Sequence, residues 1–167
     1  MKIIVPALAV VVAMATTATA DIQARFIEGA PKDRFEFTNT GDCTLGASQI
    51  KLNLGESSAG LIFDTTAAGA GVEVFQPLEI VAGAELLNVV PVLKDGDNTA
   101  LLELRGLNPG QSVAFTIDVD DTLGGREITV SGSEILGARV SLTGAETSDG
   151  RFDERGVATL TLPACLS

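Results

Sequence analysis

Short runs of alternating apolar and polar residues, each closed by turn-forming residues, recur along nearly the whole chain and restrict it to sheet. They cover 22–28, 34–40, 47–54, 60–64, 72–81, 99–105, 111–120, 126–131, 138–143 and 156–162. Period-two alternation places one set of side chains in a core and the other in water. In 47–54, Ile50, Leu52 and Leu54 are expected inside, with Gln49, Lys51 and Asn53 outside. In 111–120, Val113, Phe115, Ile117 and Val119 make the inner face. Turn residues at 39–42, 94–98, 108–110 and 124–125 separate the runs. No segment after residue 20 carries a sustained helical stripe, although 82–89 has room for one turn. Closely spaced strands without intervening helices define an all-β chain, expected as a single antiparallel β-sandwich of immunoglobulin-like or Greek-key type.

The first twenty residues differ from the rest. Lys2 is followed by an apolar stretch from Ile3 to Ala15 and then by Ala18-Thr19-Ala20. Cation, apolar run and A-x-A site in that order describe a secretory signal peptide. A membrane anchor needs about 20 apolar residues, and Thr16, Thr17 and Thr19 dilute the run before that. The expected organisation is therefore 1–20 as leader and 21–167 as one domain, exported to the periplasm or the cell exterior, with no membrane insertion after cleavage.

Export bears on the two cysteines, Cys43 and Cys165. An even pair in an oxidising compartment reads as a disulfide. A zinc site would need more ligands than two thiols in a chain without histidine. A bridge between them would enclose most of the domain and contribute roughly 4–5 kcal/mol on a chain-entropy basis.

Composition narrows the chemistry. With no histidine, a serine nucleophile lacks its usual base. Gly69-Ala70-Gly71 mimics the start of a dinucleotide fingerprint, but Val72-Glu73-Val74-Phe75 after it is strand-like rather than helical. Paired carboxylates could serve a glycosidase, yet the chain has no Trp or Tyr to line a sugar cleft. No enzyme is expected. Phe26, Phe35, Phe37, Phe63, Phe75 and Phe115 are left to supply the bulky core. The formal net charge of −11, one unit more acidic once Lys2 is removed, repels nucleic acid and gathers cations.

The strongest local feature is Asp118-Val119-Asp120-Asp121, at the end of the best-patterned run. With Val119 inward, Asp118 and Asp120 share the outer face and Asp121 begins a turn. Pairing of 111–120 with 126–131 would set Asp120 opposite Glu127 and Asp118 opposite Thr129. Like charges so placed destabilise a sheet, and calcium, which takes 6–8 oxygen ligands, would relieve them. Asp64, at the end of Leu61-Ile62-Phe63, reads equally as a turn cap or a ligand. The loop Asp95-Gly96-Asp97-Asn98 reads as a plain turn.

Four blocks of the chain resemble the bacterial relatives of the sponge aggregation factor core protein. They are Arg25-Phe26-Ile27-Glu28-Gly29-Ala30-Pro31-Lys32-Asp33-Arg34-Phe35, Thr38-Asn39-Thr40-Gly41-Asp42-Cys43, Gly60-Leu61-Ile62-Phe63-Asp64-Thr65 and Phe115-Thr116-Ile117-Asp118-Val119-Asp120-Asp121-Thr122. The resemblance implies non-enzymatic, calcium-dependent adhesion or self-association outside the cell. It strengthens the expectation of calcium at Asp118, Asp120 and Asp121. The alternative is a metal-independent binding module for a carbohydrate or a protein, on the general ground that sandwich domains host such roles.

Overall fold

The computed structural model describes residues 21–65, 76–123 and 129–162. The expected leader, Phe75, Glu127 and Cys165 lie outside the described residues. Within them nearly all the regular secondary structure is antiparallel strand. Its strands are β1 (Ile22–Ile27), β2 (Asp33–Asn39), β3 (Ser48–Asn53), β4 (Ile62–Asp64), β5 (Glu79–Ala82), β6 (Thr99–Leu104), β7 (Ser112–Asp120), β8 (Arg139–Thr143), β9 (Thr147–Arg151) and β10 (Val157–Leu160). One sheet runs β10-β1-β2-β7, with β4 and β5 both on the far side of β7. The other runs β6-β3-β8-β9.

The alternation read from the sequence is what buries the strands. Ile50, Leu52 and Leu54 are fully buried, as are Val113, Phe115 and Ile117, with Val119 close behind. Cross-strand register then brings the phenylalanines together. Phe35 stands opposite Phe26 on β1 and opposite Phe115 on β7. Its ring centroid lies 5.3 Å from Phe26, 5.2 Å from Phe115 and 6.4 Å from Phe63. A single buried cluster joins these rings to Ile50, Leu102 and Val140 of the second sheet. Phe152, absent from the expected core, is buried there too. Cys43 is half-buried against the same cluster and is not a free thiol.

Two expectations give way. Residues 129–131 are not strand: Val130 is buried, and Ser131 caps the short helix α1 (Gly132–Ile135) through a reciprocal capping box with Glu134. Among the described residues β7 pairs with β2 on one side and with β4 and β5 on the other, so Asp118 is not opposite Thr129, and 126–128 of the expected partner lie outside the described residues. Of the run 72–81, the described strand covers only the end, Glu79–Ala82, and 72–75 lie outside the described residues. The single turn expected over 82–89 is a 3-10 helix, Ala84–Leu86.

β4 and β5 act as one interrupted strand. Ile62 to Asp64 pair with Asp120 to Asp118, and Glu79 resumes opposite Thr116. Asp64 and Glu79 thus stand two positions apart along β7, at Asp118 and Thr116. On its other edge β4 is held by the turn at 94–97: Phe63 N–H donates to Asp97 O (2.8 Å) and Gly96 N–H to Phe63 O (2.9 Å).

Candidate cation site at the acidic end of β7

Alternation along β7 turns Val119 into the core and leaves Asp118 and Asp120 on the other face. Pairing with β4 sets Asp64 directly opposite Asp118. Residues so opposed have Cβ atoms about 4.5–5.5 Å apart, and two like charges there repel. Asp64 is only 2 % exposed, so water screens it poorly. The partner of Asp118 is therefore Asp64, not Thr129, and Asp120 stands opposite Ile62.

Another carboxyl lies nearby on β2, opposite Ile117 and so on the core face of the sheet. The tight turn between β1 and β2 includes a cis Ala30-Pro31 bond. Asp33 closes that turn by accepting the Gly29 N–H at its Oδ1, 3.1 Å away. A side chain at Gly29 would run into Lys32 O at 2.3 Å, so the turn admits only glycine. Asp33 is 2 % exposed. Burial pushes its pKa up to about 7, with the charge of Asp118 adding to the rise and the Gly29 and Val119 N–H groups opposing it.

The neighbouring acids shift the same way. Burial, then the charge of Asp120, raises Asp118, while Lys32 pulls it down. Burial also raises Asp120. Lys32 is held in place by Pro77 O (2.9 Å) and Glu79 Oε1 (2.9 Å), where β5 begins. Just after β4, Thr65 N–H donates to Asp95 Oδ1 at 3.2 Å.

Part of the acidic run serves the chain itself. Asp121 N–H donates to Asp120 Oδ1 (2.8 Å), and Leu123 N–H to Asp121 Oδ1 (2.6 Å), so both carboxylates shape the turn after β7. The loop at 95–98 is the turn expected, closed by Lys94 N–H on Asp97 Oδ2 at 2.8 Å. Among the described residues no three acidic or sulfur groups are close enough to hold a metal by themselves. Glu127 lies outside the described residues. Of the sequence-derived ligands, Asp64 and Asp118 are brought face to face, Asp120 flanks them, and Asp121 is turned to the loop. Asp33 and Lys32 escaped sequence reading, because only the register of β2 on β7 brings them near.

Comparison of the chain with protein-family models, curated proteins and solved structures returns no match.

Proposed function

We propose that the chain is an exported, non-enzymatic adhesion or self-association domain whose acidic β7 end takes calcium. In this reading the two sheets form a single β-sandwich of immunoglobulin-like type, closed by a bridge from Cys43 to Cys165 after removal of the leader. The observation that carries it is the opposition of buried Asp64 and half-buried Asp118 across β4 and β7. Opposed carboxylates gain from a shared proton or cation, and their hard oxygens suit calcium. Asp64 and Asp118 would hold the ion, with Asp120 beside them and water or main-chain oxygens completing its shell. An ion there would fasten the end of β4 to β7.

The alternative, a metal-independent module for a carbohydrate or a protein, draws on a different observation. Val89, Val90 and Val92 are 59 %, 49 % and 88 % exposed in the connection from β5 to β6. Exposed apolar stretches of this sort accompany interaction sites. Size-exclusion chromatography in calcium and in chelator separates the two. The adhesion reading predicts a larger species in calcium that reverts on chelation and does not form with Asp118→Asn. An elution volume indifferent to both favours the alternative.

A further inference from the structure

The outer faces of the two sheets are finished differently. On the first sheet polar side chains satisfy one another: Arg34 pairs with Glu36 at 3.1 Å, Lys32 with Glu79 at 2.9 Å, and the Thr38 and Ser112 hydroxyls meet at 2.7 Å. On the second sheet the register aligns two rows across three strands, Gln49–Thr143–Thr147 and Lys51–Ser141–Asp149. Among the described residues, the side chains of Gln49, Lys51, Ser141, Thr143 and Thr147 form no hydrogen bond or ion pair. Asp149 holds Arg139 through one oxygen, Oδ1, leaving the other open.

We propose that this face is a binding surface for a neutral carbohydrate, seated across β8 and β9. A shallow groove of about 310 Å³ lies there, lined by Ser141, Leu142, Thr143, Thr147, Ser148 and Asp149. That volume falls at the small end of ligand sites and suits about two sugar rings. The groove itself carries hydroxyls and a carboxylate, and the register sets the Gln49 amide and the Lys51 ammonium on the adjoining strand β3, so the face both donates and accepts, as a polyol requires. Charge selects the ligand further. On a chain of net charge −11, the cations Lys51 and Arg139 balance the acids locally. An uncharged partner meets no penalty at such a surface, an anionic glycan is repelled by the whole molecule, and a basic protein is drawn instead to the acidic end of β7. Strands fix the side chains more firmly than loops would. With no aromatic ring to stack a sugar, binding is weak and serves through repetition along a polymer. The inference does not rest on calcium.

An NMR titration of the purified protein with neutral hexasaccharides of glucose, mannose, galactose and xylose tests it. Amide shifts are expected at millimolar sugar, confined to Gln49–Lys51, Ser141–Thr143 and Thr147–Asp149. Asp149→Ala and Ser141→Val, both on the exposed face, should each weaken binding about fivefold or more, the loss of one hydrogen bond. No shift with any of the four sugars, or affinity unchanged in both variants, overturns the proposal. So do shifts of these residues with protein concentration alone, which would give the face to a second copy of the chain.

Discussion

Asp33→Asn is expected to raise the melting temperature at pH 8 in chelator by roughly 5–10 °C, and to flatten the pH dependence of stability between about pH 4 and 7. The carboxyl is 2 % exposed, accepts one N–H from Gly29 and feels the charge of Asp118, so its folded-state pKa is about 7 against an ordinary value of 3.8. Folding therefore takes up a proton in that interval. By linkage, the contribution is fully present below about pH 4 and lost as pH rises through about 7, a change of about 2–4 kcal/mol. Asp118 and Asp120 are raised as well and act in the same direction. Asp153, held low by its hydrogen bond from Arg155, acts in the opposite direction at acid pH. Comparing the variant with the parent cancels the contributions of Asp120 and Asp153, while that of Asp118 is coupled to the Asp33 charge. Asparagine keeps one oxygen for the Gly29 and Val119 N–H groups and removes the charge. Urea titrations from pH 4 to 8 check the sign: parent stability should fall across the range, and the variant's should fall much less.

Phe35→Ala should cost about 3–5 kcal/mol, the usual range for deleting a buried phenylalanine. Phe35 is fully buried and its ring centroid sits within 6.4 Å of those of Phe26, Phe63 and Phe115. Its removal leaves a cavity shared by β1, β2, β4 and β7, which a sheet held by register cannot close. Phe35→Leu keeps much of the volume and should cost less than half as much. The measure is the urea midpoint, with the slope unchanged if the unfolded states are alike.

The strands that sequence reading found are those with one wet and one dry face. β3 and β7 announce themselves by strict alternation, and their burial follows it. β9 escaped because Thr147-Ser148-Asp149-Gly150-Arg151 carries no apolar residue. It is held by pairing with β8 and by the close approach of Gly150 to β10, where a Cβ would meet Thr159 O at 2.6 Å. The run 126–131 misled for the opposite reason. Val130 is apolar because it enters the core just before α1, while the Ser131 and Glu134 spacing that marks a capped helix was there to be read.

The site divides in the same way. Asp118 and Asp120 were legible from alternation within one strand, but their neighbours depend on which strands adjoin β7. Register is a long-range property, so Asp64 could be named only as ambiguous and Asp33 not at all. A short strand such as β4, with three residues, gives no pattern from which its partner could be inferred.

In the proposed function a cation resolves the repulsion between Asp64 and Asp118. Thermal melting of the parent and of Asp118→Asn, each in calcium and in chelator at pH 8, addresses it directly. At a hundredfold excess over the dissociation constant, binding to the folded state adds about 2.7 kcal/mol. The parent should therefore melt several degrees higher in calcium than in chelator. In chelator, Asp118→Asn should melt at or above the parent, since the substitution removes one of the opposed charges, and calcium should no longer shift it. Equal midpoints for the parent in calcium and chelator would contradict the claim, and would leave the acidic end of β7 as a buried and a half-buried acid that bind no cation.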